Sequence, residues 1–123
     1  MKSPHPSLRI GSGAGYAGDR ILPALELAEK GQLDYLVFEC LAERTIALAQ
    51  LERSKHPDRG FDPLLTKRMQ AVLGPCMRHG VRIITNMGAA NPLQAGHEVL
   101  RVARELGLLQ VKVAVVLGDD VLA

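Results

Sequence analysis

The chain has 123 residues and a mass of 13.3 kDa, room for one domain and little more. Its net charge is only +2, from 15 Lys and Arg against 13 Asp and Glu, which argues against nucleic acid or an anionic membrane surface as partner. No apolar run is long enough to span a bilayer, and the N-terminus lacks the apolar stretch of a signal peptide. Two Cys, Cys40 and Cys76, are too few to staple a secreted mini-domain, so free thiols in a reducing cytoplasm are expected. Aromatic residues are scarce, two Tyr and two Phe with no Trp, so the core must be built from Leu, Val, Ile and Ala.

Residues 1–7 read as a flexible tail and residues 8–123 as an α/β domain. The first strand is expected at 8–12, followed by a glycine-rich turn and a helix over 19–30, with Pro23 near its first turn and Gly31 at its end. A second strand is expected at 35–39 and a second helix over 41–55. The polar stretch 54–60 reads as a solvated connection. Asp62-Pro63 is N-cap chemistry for a third helix, whose Leu65, Met69, Val72 and Cys76 share one face. Gly74-Pro75 should kink that helix or end it early. A third strand follows at 81–86. Asn91-Pro92 opens a fourth helix with Leu93, Gly96, Leu100 and Ala103 on one face, ending at Gly107, and a fourth strand follows at 111–117.

Such alternation predicts a three-layer, Rossmann-like parallel sheet of about four strands with crossover helices. The strands are continuous apolar runs, as expected when both faces are covered. No helix follows the last strand to cover it, so the expectation is a portion of a longer protein, or a homo-oligomer.

Ligands of open α/β sheets bind beyond the carboxyl ends of the strands. Those junctions carry Gly13, Gly15, Tyr16, Asp19 and Arg20 after the first strand and Glu39, Cys40, Glu43 and Arg44 after the second. Asn86 and Asn91 follow the third strand, and Asp119 and Asp120 the fourth. The opposite edge is blander. This asymmetry places a small-molecule site at the carboxyl edge.

Several chemistries compete there. Gly13-Ala14-Gly15-Tyr16-Ala17-Gly18 fits G-x-G-x-x-G, and Glu39 lies 21 residues further on, near the offset of a ribose-binding acid, which points to NAD. Against it, the motif is preceded by Gly11-Ser12 rather than an apolar strand end, and Asp19 would repel a pyrophosphate. The plain alternative is a strand-to-helix turn. Arg20 or Arg44 offers a fork of donors to a carboxylate or phosphate, the alternative being local ion pairing with Asp19 and Glu43. Cys40, expected at a helix N-terminus, is a candidate nucleophile with Glu39 or Glu43 as proton partner, the alternative being a small buried hydrophobe. Asn86 is suited to hydrogen-bond a substrate carbonyl, whereas Asn91 is explained by capping. Asp119 and Asp120 suit turn chemistry better than a metal, and the four His show no zinc spacing. Glu39, Cys40 and Asp119 are the catalytic candidates.

The runs from Gly15 to Arg20 and from Leu33 to Thr45, the run from Arg82 to Pro92, and Gly118-Asp119-Asp120 together resemble the N-terminal part of the acyclic terpene utilisation protein A family. The resemblance implies a cytosolic protein tied to bacterial citronellol and geraniol breakdown, with terpenoid acids or their CoA thioesters as ligands. It implies no particular reaction. Family members are several times longer, so the resemblance also implies an N-terminal segment. A non-catalytic assembly subunit is the remaining alternative, suggested by the uncovered last strand and the absence of an evident nucleophile–base pair.

Overall fold

A computed structural model describes residues 7–122 of the chain, so nearly all of the expected tail lies outside the described residues. The elements run β1 (Ile10–Ala14), α1 (Leu22–Lys30), β2 (Tyr35–Phe38), α2 (Glu43–Lys55), α3 (Leu65–His79), β3 (Arg82–Thr85) and α4 (Pro92–Glu105). The fold is α/β, with a three-stranded parallel sheet in the order β1-β2-β3. Ile10 pairs with Tyr35 and Tyr35 with Arg82; Ser12 pairs with Val37 and Val37 with Ile84.

Each strand is laid down beside its predecessor, in one direction. Right-handed crossovers made in one direction put their helices on the same side. The core obeys this. Ala14, Leu36 and Phe38 of the sheet pack with Ala24 and Ala28 of α1, with Leu65, Met69, Val72 and Cys76 of α3, and with Ala95, Val102 and Ala103 of α4. The expected three layers are therefore two. Among the described residues the opposite sheet face, Ile10, Ser12, Tyr35, Val37, Arg82 and Ile84, carries no helix, and Ile10 and Ile84 are 61% and 54% exposed. Helix α2 buries none of its residues.

Close packing explains two glycines of the first strand. A Cβ at Gly11 would sit 2.5 Å from the Leu33 side chain, and one at Gly13 would sit 2.7 Å from the Phe38 ring. Both lie inside β1, so the strand runs two residues further than expected and takes in the first glycine of the motif.

Other expectations need correction. Segment 111–117 forms no strand: it packs on α4, where Val115 fills the space left by the missing side chain of Gly96, and makes no ladder with β3. Pro75 lies inside α3 without ending it, because the buried stripe from Leu65 to Cys76 holds the helix on both sides of the lost hydrogen bond. The helix stops instead at Gly80, whose φ of 63° is the left-handed conformation favoured at such ends. Helix α3 also starts later than expected, because Asp62 makes a turn before it: its Oδ1 accepts the Leu64 N–H at 2.7 Å. Asn91 does not cap α4 with its side chain. The buried face of α4 is Ala95, Gly96, Val102 and Ala103, so Gly96 and Ala103 lie on it as expected, while Leu93 is exposed.

Candidate functional site

The carboxyl ends of β1, β2 and β3 converge on one cluster. The Glu39 N–H donates to Ala14 O at 3.0 Å, carrying the β1–β2 pairing one residue beyond the strands. Asn86 bridges the next pair of ends: its Oδ1 accepts the Cys40 N–H at 2.8 Å and its Nδ2 donates to Glu39 Oε1 at 3.0 Å. The Leu41 N–H reaches the same Glu39 oxygen at 3.0 Å. These bonds, Asn86 first and Leu41 second, hold the exposed Glu39 carboxyl below its ordinary range. Glu39 is thus an ionised acceptor at neutral pH.

The glycine turn is closed by its own acid. Asp19 Oδ2 accepts the Gly15 N–H at 2.9 Å and Oδ1 accepts the Arg20 N–H at 2.9 Å, which lowers the Asp19 pKa in that order. These bonds occupy residues 15–20 in a turn, and α1 begins only at Leu22. The dinucleotide fingerprint does not fit this geometry. Its first glycine is in the strand, packed against Phe38, and the Gly15 amide that would meet a pyrophosphate already holds a carboxylate.

Beneath the cluster lies Arg68 of α3, fully buried at 0% exposure, a residue that composition and motif reading miss. Its Nη2 donates to Ala17 O and Asp19 O, both at 3.0 Å. Its Nη1 lies 3.4 Å from Cys40 Sγ, 3.6 Å from Met87 Sδ and 3.5 Å from Asp62 Oδ2. The Asp62 N–H in turn donates to Met87 O at 2.8 Å. One guanidinium therefore ties the turns after all three strands to α3. Arg68 Nε and Asp62 Oδ2 remain without hydrogen-bond partners. Burial raises the Asp62 pKa, with the Leu64 N–H and Arg68 pulling the other way. A sequence signal for Arg68 exists: it falls three residues after Leu65 and four before Val72, on the apolar stripe of its helix.

Cys40 is a correction. It does not cap a helix. It is buried under the cluster, and desolvation pushes its thiol up to about 11, against the opposing pull of Arg68. A thiol so raised is protonated at neutral pH, which fits the small buried hydrophobe better than the nucleophile. Cys76 is likewise buried, with its thiol also at about 11.

The remaining expected residues scatter. Tyr16, Arg20, Glu43 and Arg44 are exposed, and Glu43 opens α2, where its charge favours the helix dipole. The buried Asn91 side chain donates to Pro57 O at 3.0 Å and Arg59 O at 2.8 Å, pinning the connection after α2. Asp120 pairs with Arg53 at 3.3 Å, and the same Arg53 nitrogen donates to Ala90 O at 2.9 Å, which ties the end of the chain to the turn before α4. Asp119 is exposed. Among the described residues no three His, Cys, Asp or Glu side chains gather as a metal site, and no helix is long and apolar enough to cross a membrane.

The family description "Acyclic terpene utilisation family protein AtuA" matches residues 8–123. The chain belongs to the AtuA family. No curated protein and no solved structure matches it. In this AtuA-family chain, three of the residue runs that carry the resemblance fall on the cluster: the turn after β1, the Glu39–Cys40 end of β2, and the Asn86–Met87 end of β3.

Proposed function

We propose that this chain serves the breakdown of acyclic terpenes such as citronellol and geraniol in the cytoplasm, by holding an acyclic terpenoid acid or its thioester against the carboxyl edge of the sheet. Family membership supports the substrate class. The observation that carries the reading is the junction of two surfaces. The ionised Glu39, fixed by Asn86, stands where the uncovered aliphatic sheet face of Val37 and Ile84 ends. A branched hydrocarbon needs the second surface, and a fixed charge at its edge decides which way a charged ligand lies. Two unpaired buried thiols support a reducing compartment.

Glu39 supplies a fixed negative charge and an acceptor for a hydroxyl or a developing cation. Asn86 has both amide ends engaged and acts on Glu39 rather than on the ligand. Thermal-shift titration with geranate, citronellate and their CoA thioesters tests the reading. Stabilisation by at least one of them is expected. No stabilisation by any of the four refutes it.

A further inference from the structure

The uncovered sheet face is a strip with unlike ends. Side chains alternate across a strand, so Tyr35, Val37 and Glu39 line one file of it and Arg82, Ile84 and Asn86 the next. At the amino end, Arg82 Nη1 donates to the Tyr35 hydroxyl at 3.2 Å, and its guanidinium lies 6.0 Å from the centroid of that ring. Arg82 makes no ion pair among the described residues, which leaves most of its donors unused. At the carboxyl end stands the ionised Glu39. Between them are Val37 and Ile84, flanked by Ser12, whose small side chain leaves the floor open. Four residues at about 3.3 Å each separate the Arg82 row from the Asn86 row, a span on the order of 13 Å. With carbon–carbon bonds of about 1.5 Å in a staggered chain, that span is about ten atoms long.

We infer that Arg82 and Tyr35 clamp the carboxylate of an acyclic acid lying along this strip, tail toward Glu39. This rests on the proposed function and gives it a direction and a preferred ligand. The positive end attracts the carboxylate and the negative end repels it, so the reverse orientation is excluded by charge. A neutral ester or thioester gains nothing from the clamp. The free acid is therefore the ligand, and the far end of its chain points toward Glu39. Arg20 and Arg44, the cations nearer the glycine turn in sequence, have no part in holding it.

The test is titration of the 15N-labelled chain with citronellate and with its methyl ester, for wild type, Arg82→Gln, Ile84→Asp and the pair Arg20→Gln and Arg44→Gln. Citronellate should shift the amides of Ser12, Val37 and Ile84. The ester should bind about tenfold more weakly, the worth of one charge-assisted hydrogen bond. Arg82→Gln should bring the acid down to the level of the ester and leave the ester unchanged, and Ile84→Asp should weaken both. All of these side chains are exposed or half-buried, so the variants should fold, and their spectra show whether they do. Equal affinity for acid and ester overturns the clamp. So does a loss that follows Arg20 and Arg44 instead of Arg82, although ligand binding at the sheet would then stand. If neither acid, ester nor CoA thioester shifts any amide, both readings fall. If the Val37 and Ile84 amides move only with protein concentration, the strip pairs with a second copy and the clamp is refuted.

Discussion

Replacing Arg68 by Met removes a side chain that touches all three strand-end turns. The methionine fills most of the volume, so the change isolates the charge and its hydrogen bonds. Two bonds from a charged donor to the carbonyls of Ala17 and Asp19 are lost, each worth about 1.5–3 kcal/mol. The gain from no longer burying a guanidinium offsets part of that. Asp62, buried and already raised in pKa by desolvation, also loses the cation that opposes the shift. Breaking one side of a buried pair in this way costs about 3–5 kcal/mol. For a domain of this size that is a fall in Tm of roughly 10–20 °C. The assay is urea denaturation followed by circular dichroism, with the slope checked for constancy. The double variant Arg68→Met/Asp62→Leu is the decisive control. It removes the stranded acid, so it should recover about 1–3 kcal/mol of the loss. A single variant less than about 1 kcal/mol below wild type, or a double variant no more stable than the single, would refute the assignment of Arg68 as the tie between the turns.

Three further outcomes follow from the same geometry. Cys40 and Cys76, with thiols at about 11, should resist iodoacetamide in the native chain near neutral pH and react fully once it is unfolded, as mass spectrometry will show. Fast native labelling of Cys40 would restore it as a nucleophile. Asp19, Glu39 and Glu98 have lowered carboxyl pKa values, so the unfolded chain binds more protons than the native one in the acid range, and the stability they contribute at neutral pH is lost as pH falls below about 4. Asp62 has the opposite sign, its ionisation opposing the fold as pH rises, so it blunts the loss. Denaturation curves across that range should be less steep in pH for Glu39→Gln than for wild type. Finally, Gly13→Val places a branched side chain where even a Cβ lies 2.7 Å from the Phe38 ring, and should cost about 1–3 kcal/mol by denaturant titration. A neutral result would return Gly13 to a role in the turn.

The α/β alternation was legible because short apolar runs separated by capped helical stripes have few other solutions, and β2 and β3 lie within a residue of where periodicity puts them. The two-layer arrangement was not legible. Strands 35–38 and 82–85 read as apolar on both faces, and only the strand order reveals that one face has no helix. Asn91 shows the limit of local rules. Its place before Pro92 is a capping position, yet its amide is used 32 and 34 residues away, on carbonyls no local pattern points to. Segment 111–117 failed for a related reason. Its β-branched residues suit a strand, but Gly96 of α4 offers Val115 a packing site, and that tertiary contact outweighs propensity. Arg68 went unread because arginine on a helix is by default a solvated residue, and its neighbours on the stripe are what contradict that default.

The glycine turn and the sheet face exchange roles once their polar groups are accounted for. By sequence, the turn after β1 is the place for an anion, with its glycines and the start of a helix. In the fold several of its donors and acceptors are spent internally. Asp19 takes the Gly15 amide from above, and Arg68 takes the Ala17 and Asp19 carbonyls from below. The Gly15 amide is closed to an anion, because the Asp19 carboxylate already occupies it. Arg82 also has donors to spare, and its register opposite Tyr35 puts it on the sheet face that carries no helix among the described residues. The proposed recognition of an apolar acid belongs to the sheet rather than the loop, because there the long axis of the ligand can run along the strands and its two ends can be told apart by charge.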